Sequence, residues 1–425
     1  MIDPDKISAH NKQAEQDHHR SFSFLGETLA VQGHDIEELL QKTAVFEVAI
    51  PSWALGAGGT RFGRFSIGGE PRNLFEKIDD VAALHQLSRS AGSISLHIPW
   101  DIPEDHRQVV EYAAEKGITF DSVNSNTFQD QKGQKHTYKY GSLSATDTGA
   151  RRQAVEHNIE VVRHGAALGA DTLTIWLADG TNFPGQKAFR RSLELTLQSV
   201  QEIYAAMPDN WKMLIEYKPF EPNFYSMVIP DWGTSAFLAE NTGDRAHTLV
   251  DLGHHLPNTN IEQIVATLLL KKRLGGFHFN DSKYADDDLT TGAIKPYQLF
   301  LIFCELVDGI ESNVQETPIS WMIDASHNVK DPLEDLLQSV GAIKEAYIRA
   351  LLVDRIALRK AQDANDVVLA EEILKEAFRT DVRPLLAESR KRQGGAMDPP
   401  GCYRFAEARK ALIEKRGNKT TATGL

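Results

Sequence analysis

The stretch Trp211-Lys212-Met213-Leu214-Ile215-Glu216-Tyr217-Lys218-Pro219-Phe220-Glu221-Pro222 decides how the rest of the chain is read. The run from Trp211 to Ile215 has the character of a buried strand. Glu216 and Lys218 follow it two residues apart, so they emerge on one side at its carboxyl end. Pro219 and Pro222 then stop the strand and stiffen the loop. Taken alone, a Glu-x-Lys pair is more often a solvated, salt-bridged loop than a site. Three later strand ends change that weighting.

Outward from this stretch the same unit repeats. Upstream, strands are expected at Val45–Ile50, Ser93–Trp100, Ile118–Val123 and Thr172–Leu177. Helices are expected between them, over about Pro71–Ser88, Asp105–Lys116, Asp147–Leu168 and Lys187–Met207. Downstream, strands read at Thr248–Asp251, Gly276–Phe279 and Ile319–Ile323, with helices at Ile261–Arg273, Pro296–Val307 and Pro332–Leu352. Eight strands in order, seven of them followed by an expected helix, are the sequence form of a (β/α)8 TIM barrel. Residues 1–44 read as an N-terminal helical segment, 45–352 as the catalytic barrel, and 353–425 as a C-terminal helical extension for subunit packing, the alternative being a tail packed on its own barrel. The loop Pro51 to Phe62 is glycine-rich, yet it lacks the lysine of a phosphate-binding loop and the spacing of a dinucleotide fingerprint.

Composition narrows the partners. The chain has 425 residues, 41% hydrophobic and 25% charged, an ordinary globular balance. A net charge of −13 argues against nucleic acid and anionic membranes, which need basic surfaces. Cys304 and Cys402 are the only cysteines, too few for a disulfide framework or a thiolate metal site. No run of about 18 apolar residues is present and residues 1–15 are polar, so no membrane span or signal peptide is expected and the cytoplasm is the default.

In a barrel of this kind the site lies at the carboxyl ends of the strands. The strand ends supply His97, Trp176, Glu216, Lys218, Asp251, His254, His278 and Asp324, and the loop after the seventh strand adds Asp286 and Asp288. So many carboxylates cannot share a dry cavity without counter-charge, because each raises the pKa of the next. Divalent metal is the simplest remedy. Carboxylate and imidazole without sulfur point to Mn2+, Mg2+, Co2+ or Zn2+. Seven candidate ligands are too many for one ion and suit two. Each residue has a plainer reading: a helix cap for Asp251 or Asp324, a satisfied core histidine for His278, a solvated turn for Asp286 to Asp288. All of them being coincidence at successive strand ends is the weaker explanation.

Together, Glu-x-Lys-Pro-x-Glu-Pro at the fifth strand, Asp-x-x-His at the sixth, Asp-x-Asp after the seventh and Asp at the eighth resemble the xylose isomerase superfamily of two-metal aldose–ketose isomerases. Asp251 and His278 stand where xylose isomerase itself has Glu and Asp. With Pro51–Phe62, His97-Ile-Pro-Trp-Asp and His278-Phe-Asn-Asp-Ser, they make the chain most similar to the broad-specificity bacterial L-rhamnose isomerases. The resemblance implies that Glu216, Asp251, His278 and Asp324 hold a structural metal that also binds the open-chain sugar, and that His254, Asp286 and Asp288 hold a catalytic one, with Asp251 a candidate bridge. Mn2+ is the expected ion. Lys218 would bond the carbonyl oxygen O1, His97 would face the ring oxygen, and Trp53, Trp176 and Phe62 would wall the apolar side of the sugar. Lys218, His97 and Asp324 are the expected catalytic groups. The resemblance also implies a homotetramer, with the Phe62 loop reaching a neighbour's site.

The expected reaction is L-rhamnose to L-rhamnulose, with room for other aldoses such as D-allose. Of two routes, a hydride shift from C2 to C1 suits these residues better than proton transfer through an enediol, because no carboxylate is left over as a dedicated base. The competing readings are another isomerase of the same barrel group, a metal-dependent phosphodiesterase, and a sugar-binding barrel without catalysis.

Overall fold

The computed structural model describes residues 1–56, 65–284, 287–315, 317–325 and 329–418. Helices α1 (Pro4–Val31) and α2 (Ile36–Val45) lead into β1 (Ala49–Pro51) and α3 (Leu74–Ser88). Then come β2 (Ser93–Ile98), α4 (His106–Glu115), β3 (Thr119–Ser125), α5 (Thr148–Leu168) and β4 (Thr172–Ile175). A two-residue strand β5 (Gly180–Thr181) precedes α6 (Phe189–Ala205) and β6 (Lys212–Glu216). It pairs antiparallel with β7 (Ser226–Met227), which is followed by α7 (Trp232–Thr242). The chain continues through β8 (Ala246–Asp251), α8 (Ile261–Leu270), β9 (Leu274–Phe279), α9 (Pro296–Glu311), β10 (Ser320–Ile323) and α10 (Pro332–Leu351). Five helices close it: α11 (Arg355–Asp363), α12 (Val367–Arg379), α13 (Arg383–Arg392), α14 (Pro399–Phe405) and α15 (Ala408–Arg416).

The strands β1, β2, β3, β4, β6, β8, β9 and β10 pair in parallel in that order, and β10 returns to β1 to close the barrel. Side chains alternate between its inside and its helical coat. Ala49, Leu214, Leu249 and Met322 form one small buried cluster. Leu214, Leu249 and Met322 each precede by two residues a carboxylate at the strand end, so the plug and the carboxylates share the inward face. The outward faces meet the helices. Phe279 and Trp321 stack against Phe303 of α9 and Phe277 stacks on both of them, with ring centroids 5.3 Å (Phe277–Phe279) and 5.6 Å (Phe279–Phe303) apart. Fully burying each such ring contributes roughly 1.5–3 kcal/mol. Helix starts are fixed by Asp or Asn caps; Asn73, Asp105, Asp147, Asp231, Asn260 and Asp331 each accept a main-chain N–H of the first turn.

Three elements differ from expectation. The first strand begins at Ala49, and α2 runs on through Val45. The buried ammonium of Lys344, from α10, donates to the carbonyls of Thr43 and Phe46 and takes those oxygens out of strand pairing. Helix α7 was not expected, because Gly233, Thr234, Ser235 and Thr242 give it a poor intrinsic preference; burial of Ala236, Leu238 and Ala239 against the barrel holds it. The terminal helices also build a second apolar core. Leu25 and Leu29 of α1 and Leu39 and Leu40 of α2 meet Leu385 and Leu386 of α13 around Phe300 and Ile348 of the barrel's own helices.

Candidate metal centre and sugar pocket

Four inward positions at the barrel mouth carry the densest chemistry. Asp251 pairs in register with His278, and His278 with Met322, two residues before Asp324. Glu216 pairs with Leu249, two residues before Asp251. These two-residue staggers match the tilt of the strands to the barrel axis, so Glu216, Asp251, His278 and Asp324 reach the mouth together, and one ligand atom from each lies within 4.8 Å of the others. His278 Nδ1 stands 3.2 Å from Glu216 Oε1, 3.6 Å from Asp251 Oδ2 and 3.5 Å from Asp324 Oδ2.

Electrostatics show what such a cluster demands. Burial pushes the Asp324 carboxyl up to about 7; His278 pulls the other way, while Asp288, Asp251 and Glu216 add repulsion. Burial would lower the His278 imidazole, but Glu216, Asp251 and Asp324 outweigh it and hold it well above its usual range. Burial would raise Asp251 and Glu216, yet the two imidazoles His254 and His278 hold both below the ordinary carboxylate range. Two buried carboxylates and the half-buried Asp324 thus draw in protonated imidazole as counter-charge. A divalent cation supplies that charge better, and the O, O, O, N donor set without sulfur fits one.

Around these four sit the other expected residues. His254 Nδ1 lies 3.1 Å from the same Glu216 oxygen. Asp288 is buried nearby and is tied to the cluster through Asn280, whose Nδ2 donates to Asp251 Oδ1 at 3.0 Å, to Asp288 Oδ1 at 3.5 Å and to the Asp324 carbonyl at 3.0 Å. Lys218 is buried and paired with Glu221, its ammonium 5.1 Å from the centre of the Trp176 ring. His97 lies edge-on to Trp53 and to Phe128, each 5.5 Å away. Its main-chain N–H donates to Asp101 at 2.8 Å, and burial pushes its imidazole down to about 3, with Asp101 pulling the other way. Trp53, His97, Phe128, Trp176, Lys218 and Phe224 line a cavity of about 460 Å³ that opens on the four-residue cluster. Phe62 and Asp286 lie outside the described residues.

Three features were not among the expected site residues. Asn280 bridges three acidic residues; its signal was its place between His278 and Asp281 at a strand end, but an amide is not a usual ligand. The phenol of Tyr217 and His255 Nε2 are 2.6 Å apart, a buried link between the residues following Glu216 and His254. Phe128 completes the apolar wall. Asp281 accepts the main-chain N–H groups of Ser282, Ile294 and Lys295, a structural role.

No family model matches the chain. A probable sugar isomerase of Rhizobium meliloti (strain 1021) is 50% identical over 416 residues, covering 98% of this chain and 97% of the relative. A probable sugar isomerase of Mesorhizobium japonicum is 49% identical over 424 residues, covering 100% of this chain and 98% of the relative. A xylose isomerase of Thermus thermophilus is 25% identical over 282 residues, 60% of this chain and 70% of that enzyme. Among solved structures, the apo 3-keto-D-glucoside 4-epimerase of E. coli superposes with a TM-score of 0.51 at 11% identity, over 70% of this chain and 99% of that one, a likeness of fold. No described helix is long and apolar enough to cross a membrane.

Proposed function

The chain belongs to the sugar isomerase family of its two rhizobial relatives, within the xylose-isomerase-like barrels, and from that premise we propose a metal-dependent aldose–ketose isomerase acting on L-rhamnose. The observation that carries the reading is the convergence of Glu216, Asp251, His278 and Asp324 beneath a cavity that also receives Lys218. These four would hold one divalent ion, and His254 and Asp288, with Asp286, a second. Mn2+ is our choice of metal. Such ions act as Lewis acids on sugar oxygens.

The chain's own groups supply the rest. Lys218, held beside Trp176, donates to O1 and stabilises negative charge there in a water-poor pocket. His97 stays neutral, so it can hydrogen-bond the sugar's ring oxygen and orient it as the ring opens without itself holding the proton. Trp53, Trp176 and Phe128 cover the C–H face of the sugar and exclude water. Hydrogen moves from C2 to C1 with its electron pair while O2 loses a proton and O1 gains one, so no redox partner is consumed. In this reading Lys218, His97 and Asp324 are the catalytic groups, and Phe62 joins the sugar contacts.

The same reading makes residues 45–352 the catalytic unit of a cytoplasmic homotetramer. Residues 1–44 form its N-terminal helical segment, and within residues 353–425 α13 to α15 pack on their own barrel while the outer faces of α11 and α12 meet a neighbouring copy. Ile356 of α11 and Val367 and Val368 of α12 are more than 70% exposed, which supports that use of the extension. Free thiols at Cys304 and Cys402 suit a reducing compartment.

The likeness to xylose isomerase favours a second reading, a sugar isomerase for a different aldose. Turnover of L-rhamnose, D-allose and D-xylose by the Mn2+-loaded protein separates the two. The highest kcat/KM on L-rhamnose is expected; a higher value on another aldose keeps the chemistry and replaces the substrate. Deuterium placed at C2 should be retained at C1 of the ketose, and washout to solvent contradicts the hydride shift.

A further inference from the structure

We propose that Arg409, on the last described helix, is a positioning residue for the metal centre, acting through the head of α10 on the loop that carries Asp288. The inference rests on the reading of that cluster as a metal site.

Arg409 grips Asp331 with a two-pronged fork, Nε to Oδ2 at 2.8 Å and Nη2 to Oδ1 at 2.6 Å. The same carboxylate caps α10 by accepting the N–H of Leu333 at 2.9 Å, and the Tyr403 phenol of α14 donates to it at 3.2 Å. Arg409 also reaches the Gly68 carbonyl at 3.2 Å, on the segment returning from β1 and Trp53. Both partners of the fork are about 15% exposed, so it is shielded in a way that a surface ion pair is not.

From Asp331 the chain of contacts runs toward the site on either side. Lys330 bonds Asp335 at 2.9 Å and Gln338 at 3.0 Å, and Thr290 donates to Asp335. The N–H of Thr291 donates to Ser339 at 3.2 Å. Helix α10 therefore anchors Thr290 and Thr291, and the adjacent Leu289 exchanges two 2.9 Å main-chain bonds with Asp281. These anchors hold Asp288, whose φ of 47° is left-handed and costs an aspartate energy unless its surroundings enforce it. The extension thus touches the element that anchors the loop of one candidate ligand, Asp288, while touching no ligand itself.

The test uses full-length protein stripped of metal. Arg409→Met is expected to weaken Mn2+ binding in calorimetry by about tenfold, as loss of outer support does at metal sites, and to lower kcat more than it changes KM. Arg409→Lys keeps the charge without the fork and should fall between. Arg404→Met breaks the neighbouring exposed pair with Glu334 and should leave Mn2+ affinity unchanged. If Arg409→Met does not fold, Arg409→Lys and Tyr403→Phe carry the same comparison. A lowered melting temperature with wild-type Mn2+ affinity and kcat overturns the positioning role alone. Wild-type protein that binds no Mn2+ overturns the metal-site reading and this role with it.

Discussion

The indole Nε1 of Trp53 donates to Oδ1 of Asp324 across 2.8 Å, joining the exit of the first barrel strand to that of the last. The two residues are 271 apart in sequence, and closure of β1 against β10 brings them together. One bond therefore ties the aromatic wall of the cavity to a candidate metal ligand.

Trp53→Phe keeps the wall and removes the donor. A hydrogen bond to a charged group contributes about 1.5–3 kcal/mol. We expect kcat/KM to fall about tenfold or more with little change in melting temperature. Steady-state kinetics beside a thermal melt checks this; unchanged kcat/KM contradicts it.

Lys218→Met should lower kcat by about 10²–10³, the scale for losing one donor to developing oxyanion charge, and leave Mn2+ affinity nearly intact. Lys218→Arg should not rescue it, because a planar guanidinium cannot sit as a point charge beside Trp176. A Met variant with wild-type kcat removes Lys218 from the chemistry.

Burial holds the His97 imidazole neutral down to about pH 3, against about 6.5 when exposed. Carbon-detected NMR of the ring should show no titration between pH 5 and 8, and an acid limb in the pH–rate profile within that range belongs to another group. The unfolded chain binds the proton that the folded chain refuses, so this residue costs stability as pH falls below about 6.5. A titration midpoint near 6.5 in the folded protein contradicts this account.

Burial also pushes the Lys344 ammonium down to about 7; Arg390 adds repulsion, and Glu47 pulls the other way. Between about 7 and 10 the unfolded chain holds more protons, so stability contributed at this position rises with pH. Relative to Lys344→Met, the wild type should gain about 2 kcal/mol between pH 7 and 9 in denaturant melts. Parallel pH dependence in the two proteins contradicts it.

The barrel was legible because apolar runs recur along the chain, and three of them end directly in a carboxylate. Val250 is followed by Asp251, Ile323 by Asp324, and Ile215 by Glu216, and the regular spacing gave the eight strands. Convergence of Glu216, Asp251, His278 and Asp324 followed from the fold class alone. Asn280 was not legible, since its role depends on three acidic partners assembled from β8, β10 and the β9 loop. The second core was hidden because α11 and α12 carry exposed Ile356, Val367 and Val368, whereas the buried contacts come from Leu385 and Leu386 of α13. Glu47 looked like part of a strand; its carboxylate instead accepts the Gly92 N–H at 3.0 Å, a contact no local pattern announces.

The most direct test is aldose isomerisation by metal-stripped protein before and after adding Mn2+, with Mn2+ binding followed by calorimetry in parallel and Glu216→Gln as the comparison. The account predicts no turnover without metal, restored turnover with it, and loss of both binding and turnover in Glu216→Gln. Metal-independent turnover, or Mn2+ binding unaffected by Glu216→Gln, would contradict the claim that this cluster is the metal centre of the isomerase.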